Sequence, residues 1–131
     1  MIPTAEAFKV NDSVKAVSIF VNGVMGDSSY FARLPERDLK LIMANTLETR
    51  GVSFAKNVFP PVNCDDLKKI KAPVLLVKGE KSPQFFIAII NELERCLTNR
   101  ETATLVNTSH GLEYENPADF NKVVLGFIDK H

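Results

Sequence analysis

Few residues in this 131-residue chain have the chemistry to act on a substrate. His110 stands in a short loop, Thr108-Ser109-His110-Gly111, directly after a stretch rich in β-branched residues. An imidazole with an ordinary pKa of about 6.5 takes up and returns protons near neutral pH, so it is suited to acid–base work. Glu113 and Glu115 follow closely, and a solvated loop face is the simplest reading of both. Glu80 and Ser82 belong to a second loop, Gly79-Glu80-Lys81-Ser82, where Ser82 is placed to cap a helix begun by Pro83. His131 is expected at the surface. Cys64 and Cys96 lie far apart, with no C-x-x-C and no Cys/His cluster. They are expected to be two reduced thiols, and no metal or cofactor site is expected.

Composition limits the partners. The 16 basic and 16 acidic residues give zero formal net charge. There is no basic excess to bind phosphate backbones, so a nucleic-acid role has little electrostatic support. A hydrophobic content of 45% with 24% charged residues is that of an ordinary globular protein rather than a disordered one. No apolar run approaches the roughly 20 residues of a membrane span. The start, Met1-Ile2-Pro3-Thr4-Ala5-Glu6, lacks the basic and apolar regions of a secretory leader. A cytoplasmic protein is expected, with no membrane or nucleic-acid partner.

The elements that must position these residues change period halfway along the chain. The first half reads as helix. Asp12 or Ser13 caps a segment in which Val14, Val17, Val21 and Val24 follow helical spacing, and Gly26 ends it. Tyr30, Phe31 and Leu34 form a short helical turn. A second helix runs from Pro35 to Arg50, with Leu39, Ile42, Met43 and Leu47 as its apolar face and Gly51 closing it. The Pro60-Pro61 pair ends any helix before it. Phe20, Phe31, Phe54 and Phe59 are either core or the lining of an acyl or aromatic pocket, and helical spacing favours core.

In the second half, Val74-Leu75-Leu76-Val77 is a continuous apolar run ended by Gly79. Such a run predicts a strand covered on both faces, as in parallel sheets. A helix follows with Phe86, Ile89, Ile90, Leu93 and Leu97 inward. Thr102 to Asn107 is a second strand. Asn116 then caps, and Pro117 starts, a last helix with Phe120, Val123, Val124, Phe127 and Ile128 on its face. Strand, helix, strand, helix implies a parallel βαβα unit. Two parallel strands leave two unpaired edges, each a template for another strand. A homo-oligomer, most simply a dimer, is the expected consequence.

With these pieces in place, the chain resembles the C-terminal end of α/β-hydrolase-fold proteins. The matching segments are Ile70-Lys71-Ala72-Pro73-Val74-Leu75-Leu76-Val77-Lys78-Gly79-Glu80, Ser109-His110-Gly111, and Glu115-Asn116-Pro117 with the helix ending in Phe127-Ile128. The resemblance makes these the last two core strands, the catalytic-histidine loop and the final helix. Ala16, Phe20-Val21-Asn22-Gly23-Val24 and Leu34-Pro35 through Met43 and Asn45 resemble the helical cap such proteins carry. The implied fold is α/β: a cap-like region over residues 1–66, then a βαβα part of a hydrolase core over residues 67–131.

The resemblance implies that His110 is the general base of an esterase-like enzyme acting on a small molecule without a cofactor. The family's chemistry runs in the order nucleophile, acid, histidine, with the nucleophile in a G-x-S-x-G elbow. No serine of this sequence has those flanking glycines, neither 13, 18, 28, 29, 53, 82 nor 109. The family's acid usually follows the penultimate strand in a G-x-x-D pattern, and Ser82 occupies that position here. Glu80 is one candidate substitute; the other reading is a solvated loop glutamate, with the acid supplied, as in some family members, from the preceding strand outside this chain. The chain is therefore expected to be a hydrolase's C-terminal portion, inert alone, that joins a second copy or an N-terminal hydrolase portion. A non-catalytic module that binds a ligand or self-associates is the other reading.

Overall fold

The computed structural model describes every residue except Met1 and Pro60. It divides into two compact units, Met1–Pro60 and Pro61–His131. The first unit is helical. Helix α1 (Ile2–Lys9), which the sequence reading passed over, supplies Ala7 and the fully buried Phe8. Helix α2 (Ser13–Met25) starts as expected: the Asp12 carboxylate accepts the Lys15 backbone N–H at 3.0 Å. It ends at Gly26, whose φ of 72° is the left-handed conformation that glycine adopts without strain. The core stripe of α2 is Ala16 and Val17, whereas Val14 faces solvent. Asn22 secures the turn that follows. Its amide donates to Ser28 C=O and accepts the Phe31 N–H, seating Phe31 in the core at the head of a 3-10 turn, Phe31–Arg33.

The single helix expected from Pro35 to Arg50 is two helices, α3 (Glu36–Ala44) and α4 (Thr46–Phe54). They meet at Asn45, whose side chain donates to Leu41 C=O and whose N–H turns back to Ile42 C=O. An asparagine that bonds the local backbone competes with the helix ladder. Gly51 does not close α4: it accepts the Ala55 N–H and the helix runs on to Phe54. Of the four cap phenylalanines, Phe31 is core, while Phe54 and Phe59 are largely exposed. The Arg50 guanidinium lies over the rings of both Phe8 and Phe54. The break read at Pro60-Pro61 rests on Pro60 and falls outside the described residues.

The second unit opens with the one-turn helix α5 (Cys64–Leu67), capped by Asn63, and continues into strand β1 (Val74–Gly79). Helix α6 (Gln84–Cys96) crosses to strand β2 (Arg100–Leu105), parallel to β1 in a register from Val74↔Arg100 to Gly79↔Leu105. The second strand lies two residues earlier than Thr102–Asn107, because its pairing with Val74 begins at Arg100 and Asn107 already turns with φ 61°. A short α7 (Leu112–Glu115) and the long α8 (Pro117–Lys130) complete the unit, α8 opening with Asn116 capping the Asp119 N–H.

Two strands make the whole sheet among the described residues. Helix α6 packs on β1 and α8 on β2. The continuous apolar run of β1 is only half covered, with Leu76 its one buried apolar residue, and α8 buries no residue fully. His131 lies at the surface as expected, its Nε2 2.9 Å from a Glu101 carboxylate oxygen that also accepts Lys130.

The expected reduced thiols are instead joined. Cys64 and Cys96 form a disulfide, with Cα atoms 4.8 Å apart and a sequence separation of 32. The physical reason is α5, which brings Cys64 against the C-terminal end of α6. A disulfide is at home in oxidising compartments, so it lends no support to a cytoplasmic location. Among the described residues, no helix is long and apolar enough to cross a membrane.

Candidate functional site

The loop carrying His110 is held by its neighbours on both sides. Where β1 ends, the Glu80 N–H donates to Leu105 C=O at 2.9 Å and the Lys81 N–H to Thr108 C=O at 2.8 Å. Gly79 lies against that loop. A Cβ built there would stand 2.0 Å from Ser109 O and 2.6 Å from Thr108 O, so only glycine permits the approach. The Glu80 carboxylate accepts the N–H of Asn107 at 2.9 Å, fastening the left-handed residue at the loop's start. Thr108 is buried, and its hydroxyl donates to Leu105 C=O. On the far side, the Ser109 N–H and hydroxyl both donate to the Glu115 carboxylate, the hydroxyl at 2.6 Å. Glu115 is exposed, as expected of a loop face, and is also a bonded anchor of the loop.

His110 points into a cavity of about 170 Å³ lined by Val77, Ser82, Phe86, Ile90 and Leu112 among others. Its ring stacks on Phe86, with centroids 3.6 Å apart and planes 8° from parallel. Burial holds its pKa below the ordinary 6.5, and the Glu113 charge works in the opposite direction. Among the described residues, no side chain hydrogen-bonds the imidazole. Such a neutral ring can accept a proton; Glu113 favours its charged form, but no hydrogen-bonded carboxylate orients it.

Protonation opposes burial of this ring, so the folded state binds the His110 proton more weakly than the unfolded chain. The linked stability is fully present above about pH 6.5 and falls as pH drops towards the lower folded pKa. Titration of the His110 ring protons by NMR is expected to give a pKa below that of a denatured chain. Phe86→Ala, which opens the cavity to water, is expected to move it back up. A value at or above 6.5 in the folded chain would contradict this environment.

The three site residues read from the sequence separate into two places. Ser82 is buried and lines the same cavity as His110. Glu80 faces the Asn107 amide at the root of the loop. Ser82 does not cap α6: the N-cap is Pro83, with no side-chain bond, and its extended ψ of 144° lets its own C=O accept the Phe86 and Ile87 N–H groups. Sequence reasoning missed Phe86 and Glu115 as parts of the site. Phe86 carried only its helical spacing as a signal, and the pairing of Ser109 with Glu115 six residues on had none.

Two solved structures share this architecture. MenH from S. aureus superposes with a TM-score of 0.70 at 19% identity, over 96% of this chain and 48% of its own. Carboxylesterase CesB (YbfK) from Bacillus subtilis gives 0.68 at 26% identity, over 89% of this chain and 42% of its own. No model of a known protein family matches the sequence, and no curated protein does. The fold is that of the C-terminal part of α/β-hydrolase structures, and the chain spans less than half the length of either neighbour.

Proposed function

We propose that this chain is the histidine-bearing C-terminal portion of an esterase-like α/β hydrolase acting on a small molecule. His110 serves as the general base, taking the nucleophile's proton and returning it to the leaving group. The nucleophile elbow and the oxyanion donors come from an N-terminal hydrolase portion that adds strands beside β1. The observation that carries this reading is the built loop: Gly79, Glu80 and Glu115 fix the position of an imidazole that has no bonded partner of its own. Ser82 occupies the acid position and lines the cavity beside the ring, while Glu80 positions the loop. The exposed apolar residues of α8, Leu125 and Ile128, and the open strand edges are what such a partner covers, and in its absence a second copy covers them.

A histidine without nucleophile or oxyanion donors forms no acyl-enzyme. The isolated chain is expected to hydrolyse p-nitrophenyl acetate no faster than its His110→Ala variant. A robust rate lost in that variant would show that the 131 residues hold a complete catalytic set. A second reading, a non-catalytic hydrolase-derived module that binds a ligand or self-associates, is favoured by the serine at the acid position. It predicts ligand binding or a stable dimer, with no rate gained when a nucleophile-bearing portion is added.

A further inference from the structure

The cysteine pair has a third neighbour. Glu92 precedes Cys96 by four residues on α6, which puts carboxylate and sulfur on one helix face. Glu92 Oε1 lies 3.7 Å from Cys96 Sγ, and the donor atoms of Cys64, Glu92 and Cys96 all fall within 4.8 Å of one another. Two sulfurs and a carboxylate drawn together from two helices are donors of the types that a three-ligand zinc site uses, with one position left to water.

We propose that reduction of the disulfide converts Cys64, Cys96 and Glu92 into a three-ligand site for a thiophilic divalent cation such as Zn²⁺, with water as the fourth ligand. The inference goes beyond the hydrolase reading and does not depend on it. Disulfide and metal are alternatives, because sulfurs bonded to each other offer no thiolate. A dithiol reductant supplies two electrons and two protons: the protein's S–S bond breaks to two thiols, and the reductant's own sulfurs join. Each thiol then releases its proton to solvent as it binds the ion. Since α5 is a single turn, the sulfurs can separate through movement of one short element.

The surroundings fit the charge. Glu92 is ionised, its pKa held down chiefly by its hydrogen bonds to Arg95. Both side chains of that pair are more than half exposed, so loosening it for a metal costs little. Arg95 also stays beside a site that is anionic once two thiolates and a carboxylate meet one divalent ion. Soft sulfur donors select zinc over magnesium or calcium.

The test uses the whole 131-residue chain in oxidised and phosphine-reduced forms, titrated with Co²⁺ and then with Zn²⁺ against a chromophoric chelator. The reduced chain is expected to bind one ion and to give the near-ultraviolet sulfur-to-cobalt band, which the oxidised, folded chain lacks. The Cys64→Ser/Cys96→Ser chain is expected to bind at least about 100-fold more weakly, beyond the range for losses outside the ligand set. Glu92→Gln keeps both cysteines and the fold, and is expected to weaken binding roughly 10-fold while the band persists. The proposal is overturned if the reduced chain binds Zn²⁺ no tighter than the double-serine chain. It is equally overturned if Glu92→Gln binds as the parent does, because the carboxylate is then no ligand.

Discussion

Gly79→Ala is expected to destabilise the second unit by about 3 kcal/mol, at the upper end for forcing extra atoms into packed structure. The new methyl would meet two backbone carbonyl oxygens, at 2.0 Å from Ser109 and 2.6 Å from Thr108. Neither can swing aside as a side-chain tip could. Thr108 is buried, its C=O accepts the Lys81 N–H, and the Ser109 backbone is tied to Glu115. Relief requires the whole His110 loop to move and the bonds around it to break. Denaturant unfolding followed by circular dichroism measures the loss, and the His110 ring resonances report the displaced loop. A midpoint within about 0.5 kcal/mol of the parent, the range of a bland surface change, would show that the close approach is not enforced.

The second large effect is that of the disulfide. Replacing Cys64 and Cys96 with serine is expected to lower stability by about 3–4 kcal/mol. The figure follows from loop closure: the bond removes the freedom of some 32 positions from the unfolded chain. The loop it closes contains β1, nearly all of α6 and the connection between them, and so carries Gly79, Ser82 and Phe86. A unit with one parallel strand pair and half-covered helices has little other stabilisation in reserve. Reduction without mutation is expected to give the same loss, measured as a fall in thermal midpoint on adding phosphine. No change on reduction would mean that the bond does not constrain this unit.

What the sequence revealed and what it hid divide along one physical line. Local signals were legible. The apolar run closed by Gly79, Asn116-Pro117 at the start of α8, and Asp12 and Gly26 around α2 each act within a few residues of themselves. They therefore placed both strands, the histidine loop and the last helix. Signals that depend on a folded partner were not legible. Cys64 and Cys96 meet only because the one-turn α5 abuts the end of α6. Glu115 could be identified as an anchor only once α7 turned it back on Ser109. Helix α1 was missed because Pro3 and the small residues around it mask an apolar face of two residues, Ala7 and Phe8. The long second helix was drawn through Asn45, since side-chain competition with the backbone leaves the apolar spacing on either side intact.

The same distinction applies to the site. A loop histidine after a strand is visible in a sequence, and so is the lack of a flanked serine. That the imidazole rests on Phe86 with no bonded partner is visible only in three dimensions. In the function proposed, such a ring is a base awaiting a nucleophile, and the glycine, glutamates and threonine around it hold its loop still for one.

The most direct measurement is complementation. The chain is mixed or co-expressed with an N-terminal α/β-hydrolase portion that carries a G-x-S-x-G elbow, and p-nitrophenyl ester hydrolysis is followed. The expected result is no rate from either part alone, a rate from the two together, and its loss by about 10³-fold or more with His110→Ala, as for removal of a base that acts jointly with its nucleophile. Hydrolysis by the pair that His110→Ala leaves unchanged would contradict the account, because the loop built around His110 would then serve no proton transfer.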